Sequence, residues 1–134
     1  MANSLFGLTK GVILDGGINF GSATLKVSLI DAADVTVNTA THDFYDDISA
    51  GVVATATLAS VTTSADGVLD SADPTFSSVT GDTCESLILW NDTGGAASTD
   101  HLVAYYDTFT SGMPVTPNSG DIEVTVNASG WFAL

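Results

Sequence analysis

Glu85-Ser86-Leu87-Ile88-Leu89-Trp90 and His101-Leu102-Val103-Ala104-Tyr105-Tyr106 decide how this chain folds. Each is a short run of apolar, branched and aromatic residues that suits a pleated surface. The polar loop between them, residues 91–99, carries Gly94 and Gly95, so the two runs read as strands that pair antiparallel. Working outward, residues 24–31 alternate: Leu25, Val27 and Leu29 face one side, Lys26 and Ser28 the other, which describes a half-buried strand. Residues 51–63 hold no charge and are rich in β-branched residues, and they read as one long strand with room for a bend. Asp66-Gly67 is a turn dipeptide, followed by a short strand at residues 68–70. Pro74 opens another over residues 75–79, with Phe76 inward. Ile122, Val124 and Val126 alternate against Glu123 and Thr125, and the chain closes on the apolar run Trp131-Phe132-Ala133-Leu134, which reads as tied into a sheet.

The expectation is therefore an all-β, antiparallel sandwich or barrel-like domain of about eight short strands with at most one short helix. The helical turn is expected at residues 41–48, where Thr41 can cap, Asp43 can face the positive end, and Phe44 and Ile48 are four apart. The 134 residues suffice for one domain, placed at residues 23–134. Residues 1–22 are apolar but broken by Gly7, Gly11, Gly16, Gly17 and Gly21, too glycine-rich for a helix. They read either as a first strand strapped to the domain or as an arm that docks on another subunit through Leu5, Phe6, Leu8, Val12, Ile13 and Leu14.

Composition excludes whole classes of function. Sixteen acidic residues face two basic ones, Lys10 and Lys26, for a net charge of −14. Phosphate contacts need Lys and Arg, so neither nucleic acid nor an anionic membrane is an expected partner. No stretch reaches the roughly 20 apolar residues of a membrane span, and the first ten residues lack the basic-then-apolar order of a signal peptide. Synthesis in the cytoplasm without export is expected. Ser and Thr together make about a quarter of the chain, a mixture that favours strands and turns.

Few residues suggest chemistry. His42 and His101 have no partner at metal-ligand spacing, no Gly-x-Ser-x-Gly elbow accompanies the serines, and Gly16-Gly17 lacks both the Walker lysine and the dinucleotide spacing. Cys84, at the start of an apolar run, reads as a small buried hydrophobe. No enzyme activity and no cofactor are expected. Asp66, Asp70 and Asp73 cluster around one turn, and Asp43, Asp46 and Asp47 form a second group. Each reads as a solvated acidic rim that keeps sheet edges apart, or as a weak oxygen site for Ca²⁺ or Mg²⁺. Trp90, Trp131, Tyr105 and Tyr106 read as core or subunit-contact residues, or as stacking surfaces for a sugar.

A resemblance narrows the reading. Val79-Thr80-Gly81-Asp82-Thr83, Leu87-Ile88-Leu89-Trp90-Asn91-Asp92-Thr93-Gly94, Leu102-Val103-Ala104-Tyr105-Tyr106-Asp107 and residues 113–122, in this order, resemble a family of small tailed-phage and prophage virion proteins. Residues 25–31, Val35-Thr36-Val37-Asn38 and Thr41-His42-Asp43-Phe44 resemble the same family's opening, so the likeness spans residues 24–134. The resemblance implies a structural virion protein of the capsid decoration, or cement, type. Such a protein sits on the capsid exterior, binds the major capsid protein and forms a homo-oligomer, with a trimer favoured. A tail or head–tail connector subunit is the alternative within that class, and a carbohydrate- or cation-binding β module the alternative outside it. If residues 1–22 are the docking arm, deleting residues 2–20 abolishes particle binding and leaves the domain folded.

Overall fold

The computed structural model describes residues 3–134. It is an antiparallel β structure with one short α-helix, as the alternating pattern predicts. The main sheet has five strands in the order β1-β8-β7-β2-β3: β1 (Ser4–Leu5), β2 (Thr24–Ile30), β3 (Val52–Thr57), β7 (Ser86–Asp92) and β8 (Leu102–Tyr106). The pair that opened the sequence reading is its centre, with Ile88 opposite Tyr105 and Leu89 opposite Ala104. β7 also pairs along its whole length with β2.

Smaller sheets make up the rest. β4 (Thr62–Thr63), β5 (Val68–Asp70) and β10 (Phe132–Ala133) form one, in the order β10-β5-β4. β6 (Thr75–Phe76) and β9 (Ile122–Glu123) form the other. The described residues hold ten strands against the expected eight or so, and five of the ten are only two residues long. The long strand expected over residues 51–63 is two strands in different sheets: Ser60, at φ 54°, turns the chain between β3 and β4. The Asp66-Gly67 turn joins β4 to β5, with Gly67 at φ 81°. The C-terminus is tied in as expected, Phe132 lying opposite Leu69 and the Leu134 N–H donating to Gly67 O at 3.0 Å.

The main sheet is buried on both faces. Leu25, Val27, Leu29, Leu87, Leu89 and Val103 pack beneath the small sheets against Leu69, Phe76 and Trp131. Ile30, Ile88, Trp90, Leu102 and Tyr105 point the other way, against Phe6, Val37 and Ile48. This explains why Leu87 to Trp90 is an unbroken apolar run: a central strand covered on both sides needs no polar alternate.

Two helical features correct the sequence reading. The α-helix, α1, is Gly7–Leu14, in the segment judged too glycine-rich for one. Packing of its inner face overrides the propensity cost of two glycines. Gly16-Gly17 ends it: Gly16 has φ 74°, its N–H donates to Ile13 O, and the Gly17 N–H donates to Val12 O at 2.8 Å. That is the Schellman arrangement, for which glycine is the preferred residue. Residues 41–48 hold only a 3₁₀ turn, Tyr45–Asp47. Its cap is Asp47, whose Oδ2 accepts from the Asp43 and Phe44 N–H groups at 2.9 and 3.2 Å, and not Thr41. Ile48 reaches the core as expected, and Phe44 is half-buried.

Candidate docking surface

The six apolar residues expected to dock on a partner fall into three groups. Phe6 is fully buried in this chain's own core and is unavailable to a partner. Leu5 lies opposite Ala104 in the main sheet, and Leu5, Val12 and Ile13 pack half-buried against the larger core. Leu8 and Leu14 are different: they are 50% and 86% exposed, the only large apolar side chains of the helix that face solvent. Thr9 explains the orientation. It is buried on the inner side of α1, its hydroxyl hydrogen-bonded to Leu102 O, and this anchors the helix on β8. A step of about 100° per residue then places Leu8, Lys10, Gly11 and Leu14 on the outer arc, with open space beside Gly11.

The electrostatic setting of this arc is unlike the rest of the surface. The first acid in the chain is Asp15, so residues 1–14 contain no carboxylate side chain and one of the two lysines. The other lysine, Lys26, is neutralised by Asp92 at 2.6 Å and lies 5.6 Å from the Trp90 ring centroid. The Lys26 ammonium hydrogen bond holds the Asp92 carboxyl below the ordinary carboxylate range, helped by the Gly94 N–H. Lys10 has no carboxylate partner among the described residues. The outer face of α1 is thus apolar and weakly cationic on a body of net charge −14.

The acidic groups picked from the sequence do not converge. Asp70 accepts from the Ser71 N–H and braces its own loop, whereas Asp73 accepts from the Val126 N–H at 2.8 Å and ties its loop to the C-terminal segment. Neither Asp66, Asp70 and Asp73 nor Asp43, Asp46 and Asp47 bring three carboxylate oxygens within ligand distance of one another. Among the described residues Asp31, Asp34 and Asp82 do, within 4.8 Å. Sequence reading missed them because Asp82 is far from the other two along the chain. Asp31 Oδ1 is already engaged by the Ala33 N–H at 2.8 Å.

Both tryptophans are committed to the interior. The Trp90 Nε1–H donates to Ser28 Oγ at 2.9 Å and the Trp131 Nε1–H to Ser71 Oγ at 2.8 Å, with 5% and 8% of each residue exposed. Neither offers a stacking platform for a sugar. A cleft of about 890 Å³ lies between the loop after β8 and the C-terminal segment, lined by Phe109, Met113, Val124 and Val126 and with Glu123 as its one charged side chain. His42 Nδ1 accepts from the Asn38 N–H at 3.3 Å, and His101 stacks on Phe44 with ring centroids 4.8 Å apart. No serine hydroxyl is hydrogen-bonded to either imidazole among the described residues. Cys84 is buried, its Sγ donating to Asp82 O, and burial reinforced by Glu85, Asp31 and Asp82 pushes its thiol up to about 11. Among the described residues no helix is long and apolar enough to cross a membrane. Set against known protein families and curated proteins, the sequence matches none.

Proposed function

We propose that this protein is a structural component of a bacteriophage particle, a decoration protein that binds the major capsid protein on the outer surface of the shell and stabilises it. The observation that carries the reading is the outer face of α1: two exposed leucines and a lysine with no carboxylate partner among the described residues, on an acid-free segment of a strongly acidic chain. An apolar face supplies non-directional adhesion wherever the partner matches its shape. The remaining carboxylates keep finished particles apart by like-charge repulsion. The resemblance read from the order of motifs over residues 24–134 points to the same assignment.

Function resides here in surface complementarity, and no bond is made or broken. Quantitative mass spectrometry of purified particles tests the placement. A decoration protein follows the copy number of the major capsid protein in a fixed ratio. A head–tail connector or tail-ring subunit is held to about six copies or a small multiple by ring closure, and that result would move the protein off the shell.

A further inference from the structure

β9 and β10 follow one another in the chain and do not pair. β9 bonds to β6 and β10 to β5, so the segment that joins them is splayed. The cleft of about 890 Å³ opens along residues 122–133, with the loop after β8 as its other wall and Leu87 and Tyr106 of the main sheet also facing it. Its size lies in the range of roughly 300–1,000 Å³ typical of binding clefts.

The wall at residues 122–126 is the open edge of a strand. The Val124 N–H donates to Pro74 O at 3.0 Å and the Val126 N–H to Asp73 Oδ1 at 2.8 Å, both toward the β6 side. In an antiparallel ladder successive residues bond to opposite sides, so the N–H and C=O groups of Glu123 and Thr125 point away from β6. Both residues line the cleft, and their main chains bond to no described residue there. Residues 109–113, across the cleft, make no main-chain bond to this edge. The side chains alternate as well: Ile122, Val124 and Val126 pack half-buried on the larger core, while Glu123 and Thr125 are exposed. The Glu123 carboxylate accepts a long bond from the Thr75 hydroxyl at 3.5 Å and has no basic partner among the described residues. Neither lysine lines the cleft.

We propose that this cleft takes an extended segment of a partner protein, alternating apolar and basic residues, which adds to β9 as one further strand. Three features select that occupant. Main-chain donors and acceptors at strand spacing are met by another extended main chain, the mode of strand addition. Side chains of an added strand share the pleat of its neighbour. Those that point inward lie beside Val124 and Val126 and against Phe109 and Met113, so they are apolar. Those that point outward stand beside Glu123 on a body of net charge −14, which favours Lys or Arg and disfavours Asp or Glu. A second copy of this chain does not supply such a segment. Its two basic residues are Lys10, within α1, and Lys26, within a strand already paired on both sides. The inference does not depend on the capsid assignment.

Titration of the full ¹⁵N-labelled chain, followed by NMR, tests it with three synthetic peptides. The first alternates lysine and valine over a short extended length. The second has glutamate in place of each lysine. The third repeats the first with its main-chain nitrogens methylated, which keeps the charge and removes the donors. The first peptide is expected to move the Glu123 and Thr125 amide signals saturably. The glutamate peptide binds about tenfold more weakly or worse, and the methylated peptide loses the saturable shifts at these two residues. Glu123→Gln, at an exposed position, weakens the lysine peptide by about two- to fivefold. Thr125→Pro removes an edge donor that serves no bond within the sheet, a position where proline is tolerated, and abolishes the shift at Glu123. If that variant fails to fold, the methylated peptide reads the same bond in the wild type. No binding by the lysine peptide, equal binding of the lysine and glutamate peptides, shifts that leave Glu123 and Thr125 unmoved, or binding undiminished by methylation would each overturn the proposal.

Discussion

Ser28 is fully buried between two partners, accepting from the Trp90 Nε1–H at 2.9 Å and sharing a hydrogen bond with the Thr55 hydroxyl at 2.8 Å. Replacing it with alanine strands a buried indole donor, and Ser28→Ala lowers the unfolding free energy by about 1–3 kcal/mol, measurable by urea denaturation. Asp47 acts at the surface. Its carboxyl is held below the ordinary carboxylate range first by the Asp43 N–H; desolvation opposes this, and the Phe44 N–H and the charge of His42 add to the lowering. A lowered folded-state value means the stabilisation is present above the ordinary range and is lost as pH falls through the folded value. Because Asp47 is exposed, solvent screening keeps the effect small: Asp47→Ala is expected to lower stability slightly at neutral pH, and the difference from wild type shrinks as pH falls, checked by urea denaturation at several pH values. The raised Cys84 thiol runs the opposite way: the unfolded chain releases this proton at lower pH than the folded one, so the fold weakens as pH climbs toward about 11. At pH 8 a thiol reagent labels Cys84 only in denaturant. That Cys84 is buried was legible from its place in an apolar run. The Ser28–Trp90 bond was not, because nothing in the sequence places residues 24–31 beside residues 85–90.

At the scale of elements, the strands with strong patterns were the legible ones. β2, β7 and β8 stand where alternation and apolar runs put them, within a residue or two. α1 was missed because Gly7 and Gly11 count against a helix, although Gly16-Gly17 just after Val12-Ile13-Leu14 is a stop signal of the kind helices use. The break after β3 was missed because Ser60 adopts its left-handed conformation without glycine to announce it. Gly17 has a second role: a Cβ there would lie 2.6 Å from Val12 Cγ1. Gly16→Ala costs about 1 kcal/mol or more from its positive φ alone, and Gly17→Ala adds a clash that displaces Val12, both visible as lower melting temperatures. The structure also reverses the expected outcome of deleting residues 2–20. That deletion removes Phe6, Thr9 and Ile18 from the interior, and loss of one large buried aromatic alone costs about 3–5 kcal/mol. The truncated chain is expected to lose its cooperative unfolding transition, whereas a folded truncated domain would show that the N-terminal segment is dispensable to the core.

Over the whole molecule, the sequence made the class plain and left the site half-drawn. Strand pattern and turn residues gave the all-β architecture, and composition gave the acidic surface, but which of six apolar residues face outward depended on how α1 sits on β8. Only Leu8 and Leu14 remain as contact residues, and this makes the proposed docking testable without disturbing the fold. The direct measurement is cosedimentation of purified protein with undecorated shells of the phage that the proposed function implies, for the wild type and for Leu8→Asp/Leu14→Asp. Wild-type protein is expected to bind to saturation in fixed ratio to the major capsid protein, and the variant, equally folded and equally stable, to remain in the supernatant. Saturable binding by the variant at wild-type affinity, or no binding by the wild type, would contradict the assignment of α1 as the face that meets the shell.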